Sequence, residues 1–304
     1  MLVLNEMDAL TQYRGLMQFL VQNHQKPVTD SPQSKRTLED HVVKVVCARE
    51  RKKGKIKAIE GTGFLVTEGG FLVTAHHVIR DQEEIWNTIC RRTPPDYEGS
   101  WLPWLRNYGA DNYVVYQGKQ YPIDITLWHD DAVHDVVVLK AVMHTHPRAR
   151  QLQEVSRTTE LTQSGFWDRQ NRPVPLLHRY HEGQDHLVRN KFVEIYGLKE
   201  YVQRRSGRIT YLDREARFKK QIVRNAFLTD VDIEHGYSGS PVVDNQGYCV
   251  GMASYMIPPI DATGRVIRGD HNHGLAGCIP FQYIARVLKS VADDLEEQTR
   301  AMRR

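Results

Sequence analysis

Gly236-Tyr237-Ser238-Gly239-Ser240-Pro241 is the stretch on which the reading of this chain turns. A serine bracketed by glycines lies in a backbone that can bend sharply, because glycine adopts conformations closed to other residues. The hydroxyl of Ser238 is then presented outward, and the N–H groups of Gly236 and Ser238 can point into one hole. Two further elements lie upstream in a fixed order. One is Thr74-Ala75-His76-His77-Val78, and the other is His134-Asp135-Val136-Val137-Val138-Leu139-Lys140.

A serine hydroxyl is a poor nucleophile and an amide carbonyl a poor electrophile. Covalent catalysis on a peptide bond needs a base for the hydroxyl proton and fixed donors for the oxyanion. A histidine, an aspartate and a serine turn, each beside an expected strand, supply those parts, and together they imply peptide-bond hydrolysis. Strand alternation places His76 and His77 on opposite sides of the chain, so one of the two can be the base. Asp135 begins the apolar run Val136–Leu139 and can be buried at a barrel rim, where it would hold the imidazole and stabilise its cation. Asp130 and Asp131 lack such a run and are expected to stay in a loop.

Around these elements the pattern is one of short strands. Runs at 41–48, 57–67, 70–75, 113–116, 123–128 and 136–142 form one group. Runs at 192–196, 209–212, 222–228, 241–243, 248–254 and 275–279 form a second. Many short strands separated by turns imply an all-β barrel or sandwich. Residues 3–24 carry helical spacing through Leu4, Met7, Leu10, Met17, Leu20 and Val21, and 25–36 read as a linker. That helix either packs on the body or serves docking and self-association. Residues 81–112, with Trp86, Trp101, Trp104 and three prolines, read as a long insertion. The basic run from Arg49 to Lys57 is a solvated hairpin tip or an anion patch. Residues 281–304 return to helical spacing, with Ile284, Val287, Leu288, Val291 and Leu295 on one face. The expected division is therefore 1–36, a domain over 37–290, and a helix over 281–304.

Composition bounds the rest. Of 304 residues, 40% are hydrophobic and 26% charged, ordinary for a globular protein. A net charge of +4 demands neither a nucleic-acid nor a membrane partner. The start lacks an apolar leader and no run is long enough to span a bilayer, so the expectation is cytoplasmic. Cys47, Cys90, Cys249 and Cys278 are then expected as thiols, with Cys249 and Cys278 the one pair in neighbouring strands. Fourteen histidines suggest metal sites at His144/His146 and His271/His273, but no acidic or cysteine cluster accompanies them. No metal and no cofactor is expected.

The residues quoted resemble the trypsin-like serine proteases, and among them the HtrA/Deg branch. Thr-Ala-x-His-Val with the base immediately before valine selects His77. Gly61-Thr62-Gly63-Phe64 is similar to that branch's GSGF. Thr229-Asp230 ahead of the serine, and Leu275-Ala276-Gly277-Cys278-Ile279-Pro280, resemble its remaining motifs. The resemblance covers about 40–290. It implies two six-stranded antiparallel β-barrels, with N- and C-terminal helices around them here, and a catalytic His77, Asp135 and Ser238 in the cleft between the barrels. It implies an oxyanion hole from Gly236 and Ser238, and substrates that are proteins or peptides. No PDZ-like segment is recognisable, the interval from His77 to Asp135 is lengthened, and Ser240 replaces a second glycine. The GxSGSP form also resembles bacterial glutamyl endopeptidases.

By the same resemblance Asp232, six residues before the serine, lies at the base of the primary pocket and would favour Arg or Lys by charge pairing. His271 and His273 would instead favour Glu, and a neutral pocket would favour small aliphatic residues. Ser254 matches the serine that supports the catalytic aspartate, with Tyr255 and Met256 forming a pocket edge. Tyr237 stands where zymogen-type relatives carry an aspartate for a new N-terminal amine, so activation by N-terminal cleavage is not expected. Control would come from residues 1–36, from 81–112 or from a partner. The competing reading is a catalytically silent trypsin fold used for binding.

Overall fold

The computed structural model describes residues 13–14, 16–17, 38–51, 55–67, 70–79, 112–116, 119–141, 187–218, 221–257 and 273–303. They are mostly β, as expected. Strands β1 (Val42–Arg51), β2 (Lys55–Leu65), β3 (Phe71–Ala75), β4 (Asn112–Tyr116), β5 (Lys119–Asp131) and β6 (Val136–Ala141) pair in the order β1-β2-β3-β6-β5-β4. The antiparallel pairing of β4 back onto β1 closes this ladder. Strands β7 (Phe192–Leu198), β8 (Val202–Phe218), β9 (Gln221–Glu234), β10 (Pro241–Asp244), β11 (Cys249–Ile257) and β12 (His273–Pro280) form a second closed ladder, β10-β11-β12-β9-β8-β7.

The first ladder closes around Val43, Val45, Phe64, Leu72, Val73 and Leu139, all essentially without solvent contact. The second closes around Ile195, Phe227, Val231, Val242, Ala253 and Cys278. Strands β3 and β6 are buried along their whole length, which is why Phe71-Leu72-Val73 and Val136-Val137-Val138-Leu139 read as continuous apolar runs. Helix α1 (Phe281–Met302) follows β12 directly and packs mainly against β5 and β6 of the first barrel. Ile284, Val287, Leu288, Val291 and Leu295 form its buried face, as the spacing predicts. The chain thus leaves the second barrel and fastens itself to the first.

Several expectations change. Strands β8 and β9 are far longer than the runs 209–212 and 222–228: β8 gains the polar Val202–Arg208, none of it buried, held by its pairing with β7, and β9 runs on to Glu234 against β12. Asp130 and Asp131 end strand β5 rather than lying in a loop. His76 and His77 begin a helical turn over 76–79, so strand alternation is not what separates them. Cys249 and Cys278 do lie in paired strands, but the register sets Cys278 against Ala253, and both are buried thiols. Burial raises Cys249 to a pKa of about 12 and pushes Cys278 higher still. Of the expected N-terminal helix, Tyr13, Arg14, Leu16 and Met17 are described; they are helical, and Leu16 is buried in the first core. Of the insertion expected over 81–112, Asn112 begins β4, and 81–111 lie outside the described residues, as do His144, His146 and His271.

Candidate active site

His77 and Asp135 are 58 positions apart yet adjacent in space, because they leave neighbouring strand ends. β3 ends at Ala75, which pairs with Val136 at the start of β6. His77 follows the first strand and Asp135 precedes the second. The Asp135 carboxylate takes two bonds from His77, from the backbone N–H to Oδ1 and between Nδ1 and Oδ2, each 2.8 Å. The Ser254 hydroxyl, on β11 of the second barrel, donates to Oδ2 as well. Asp135 is 3% exposed. Burial pushes its pKa up, but the His77 charge and these hydrogen bonds outweigh burial and hold the carboxyl below its ordinary range. Its φ of 58° is unusual for a non-glycine residue and aims the carboxylate at the helical turn.

On the other face of the imidazole, His77 Nε2 lies 2.9 Å from Ser238 Oγ. That hydroxyl also has the Ser254 carbonyl as an acceptor at 3.2 Å. His76 points elsewhere. It is buried, its N–H donates to the Asp135 carbonyl at 3.1 Å, and its Nε2 faces Asp130 Oδ2 at 3.2 Å. Asp131 in turn holds His134, with 2.7 Å between Oδ2 and Nδ1. Of the three neighbouring acids, only Asp135 reaches His77.

The serine turn is built from two glycines at positive φ, Gly236 at 101° and Gly239 at 92°. Among the described residues neither the Gly236 N–H nor the Ser238 N–H has an acceptor, whereas the Tyr237, Gly239 and Ser240 N–H groups are all bonded. Thr62 of β2 reaches the turn from the other barrel. Its N–H donates to the Ser238 carbonyl at 2.8 Å and its hydroxyl to the Gly236 carbonyl at 2.7 Å. The approach is so close that a Cβ on Gly239 would sit 1.8 Å from the Thr62 carbonyl oxygen. The sequence offered Thr62 only as one letter of a motif.

Residues 61–252 match the trypsin-like peptidase domain. The chain belongs to that family. Among solved structures, the HtrA-type protease AlgW with decapeptide is similar, at 14% identity and a TM-score of 0.49. The match covers 84% of this chain, which spans only 65% of the length of that one. No curated protein matches in sequence.

One residue of this trypsin-like peptidase sits differently from expectation. Asp232 does not line a desolvated pocket. Val231 and Ile233 point into the second core while Asp232, between them on β9, has a side chain 59% exposed. It faces the Arg205 guanidinium at 3.7 Å, so the charge-pairing argument for a basic substrate side chain loses its low-dielectric setting. Tyr237, by contrast, is fully buried. Its hydroxyl donates to Gln203 at 3.0 Å, and Gly197 leaves room for the ring, since a Cβ there would lie 2.5 Å from it. Arg205 stands 5.1 Å from the ring centroid and also pairs with Glu234 at 2.6 Å. Lys199 pairs with the same Glu234.

Tyr255 and Met256 occupy the end of β11, with Gly277 and Ala276 opposite them on β12. The Tyr255 ring lies where a Gly277 side chain would be. Met256 is half-buried against the second core, opposite Ala276, whereas Leu275 is 41% exposed and lies opposite Ile257 on one side and Asp232 on the other. His273 starts β12 opposite Glu234.

Proposed function

We propose that the chain is a serine endopeptidase that cleaves peptide bonds through an acyl-enzyme. The observation that carries the reading is the unbroken hydrogen-bond chain from Asp135 through His77 to Ser238, ending beside two N–H groups without acceptors among the described residues. Ser238 Oγ attacks the substrate carbonyl as its proton passes to His77 Nε2. Asp135 fixes the imidazole through Nδ1 and stabilises the cation that forms. The Gly236 and Ser238 N–H groups receive the negative oxygen of the tetrahedral intermediate. His77 returns the proton to the leaving amine, and a water molecule activated by the same imidazole then releases the acyl group. A silent binding protein would have no use for an acid, a base and a nucleophile held together in this order.

The outward pairing of Asp232 with Arg205 argues against a preference for Arg or Lys at the cleaved residue, because the carboxylate lacks a low-dielectric setting. The buried Tyr237, hydrogen-bonded to Gln203 and faced by Arg205, supports a serine turn that is ordered without a newly generated N-terminus. The test is digestion of a peptide library by wild type and Ser238→Ala. Ser238-dependent cleavage without a preference for Arg or Lys is expected. Equal cleavage by both proteins rejects the mechanism, and cleavage chiefly after Arg or Lys rejects the reading of Asp232.

A further inference from the structure

A glycine at positive φ gives the serine turn its shape, but it also leaves the turn easy to undo. The peptide planes flanking Gly236 can rotate with little steric penalty, and a rotated plane would present a carbonyl where the oxyanion needs an N–H. Something must hold the planes, and the turn's own strands do only part of it. After the serine the second barrel grips the turn twice, Gly239 N–H bonding the Ala253 carbonyl at 2.7 Å and Ala253 N–H the Ser240 carbonyl at 2.8 Å; ahead of it the barrel supplies one longer backbone bond, from Tyr237 N–H to the Glu234 carbonyl at 3.2 Å. Ahead of it, the Gly236 carbonyl is held by the Thr62 hydroxyl at 2.7 Å, across 174 positions of sequence.

We propose that Thr62 is a positioning residue whose hydroxyl, reaching across from the first barrel, keeps the Gly236 and Ser238 N–H groups turned toward the reacting carbonyl. The inference rests on the serine-peptidase reading above. Thr62 is wholly buried, and all of its polar groups are engaged. Its N–H holds the Ser238 carbonyl and its hydroxyl holds the Gly236 carbonyl, so the two carbonyls on either side of Tyr237 are fastened by one residue. The hydroxyl oxygen also accepts the Leu198 N–H at 3.1 Å, which leaves its proton no direction but Gly236. The Thr62 carbonyl accepts the Thr74 hydroxyl at 2.7 Å, on the strand that leads to His77. One residue thus ties β2, β3, the end of β7 and the serine turn together, its side chain reaching the last two. The backbone part of this clamp needs no particular residue; the hydroxyl part needs serine or threonine.

The experiment compares wild type, Thr62→Val, Thr62→Ser, Thr62→Ala and Ser238→Ala on one peptide substrate. It also measures affinity for a peptide boronic acid, whose tetrahedral adduct with Ser238 places an oxygen in the hole. Thr62→Val keeps the shape and loses the hydroxyl. It should lose roughly 10- to 100-fold in kcat, less than deletion of an oxyanion donor, with KM changed less than about 3-fold. Boronate affinity should fall in parallel. Thr62→Ser and Thr62→Ala both lose the methyl and differ only in the hydroxyl, so serine restoring kcat where alanine does not isolates the hydrogen bond even if valine fails to fold. Thr62→Ala and Thr62→Ser with equal kcat and equal boronate affinity overturn the inference, whatever their melting temperatures. Hydrolysis equal in wild type and Ser238→Ala overturns the parent reading and this one with it.

Discussion

The two halves of the site are held by different means. His77 and Asp135 issue from β3 and β6, adjacent strands of one ladder whose pairing runs unbroken from Phe71↔Lys140 to Ala75↔Val136. Their geometry is a by-product of a buried sheet. Ser238 issues from the second barrel, on a turn of two positive-φ glycines, and is clamped by Thr62 of the first. The proposed acid–base pair is therefore set mainly by one barrel, with the Ser254 hydroxyl on Asp135 and Ser238 itself on His77 as its bonds from the other, whereas the proposed nucleophile and its N–H groups depend on the two barrels being docked. Helix α1, which leaves β12 and packs on β5 and β6, serves that docking.

The comparison makes its largest demand on the histidines. His77→Ala should lower kcat by about 10⁴-fold or more, the scale seen when a member of such a constellation is removed. His76→Ala should keep kcat within about 10-fold and instead lower the melting temperature, because His76 packs in the core facing Asp130. Both are read by steady-state kinetics and thermal unfolding. The reverse pattern in folded proteins would break the assignment.

Gly239→Ala tests the docked half. An alanine there must adopt φ near 92° and push the Thr62 carbonyl aside. The expected outcome is a stability loss of at least ~2 kcal/mol together with near-complete loss of hydrolysis. Thermal unfolding and peptide cleavage measure the two, and wild-type values for both would remove the close inter-barrel contact from the account.

Ser254→Ala is a smaller perturbation, deleting one donor to the Asp135 carboxylate. A loss of about 10-fold in kcat is expected, the scale of a hydrogen bond to a charged group. Full activity would leave the acid–base half dependent on its own barrel alone.

How much of this was legible beforehand follows the same division. Strands β3 and β6 announce themselves because both faces are buried, and the face of α1 because helical spacing is kept through Ile284, Leu288, Val291 and Leu295. The serine turn is legible from its glycines. What sequence does not carry is contact across distance. Thr62 meets Gly236 only after both barrels close, and Arg205 meets Tyr237 only after β8 folds back on β7. The outward set of Asp232 is a matter of one position in β9, where Val231 and Ile233 claim the interior. The stretch Val202–Arg208 shows no apolar alternation because its half-buried positions are filled by Gln203, Arg205 and Gly207, so ladder pairing rather than burial makes it a strand.

Acid sharpens the comparison further. The folded Asp135 carboxyl titrates below its ordinary 3.8, so its ionised form stabilises the folded state above that value. That contribution is lost as pH falls below 3.8 and through the lowered folded value. The stability gap between wild type and Asp135→Asn should therefore be constant near neutrality and shrink in acid, as followed by urea unfolding at a series of pH values. A gap that widens in acid would mean a carboxyl held protonated. Smallest of all, Asp232→Ser should leave the preference for the cleaved residue unchanged, since its carboxylate is already turned to Arg205 and solvent. Loss of an Arg or Lys preference in peptide profiling would return Asp232 to the pocket.

The central claim is that Ser238 is a nucleophile activated by His77. Its most direct test is reaction with a fluorophosphonate, with the adduct mapped by mass spectrometry in wild type and His77→Ala. The account predicts one adduct per chain, on Ser238, forming at least ~10³-fold more slowly without His77. An unmodified Ser238 in folded wild type, or an equal rate of modification in His77→Ala, would contradict it.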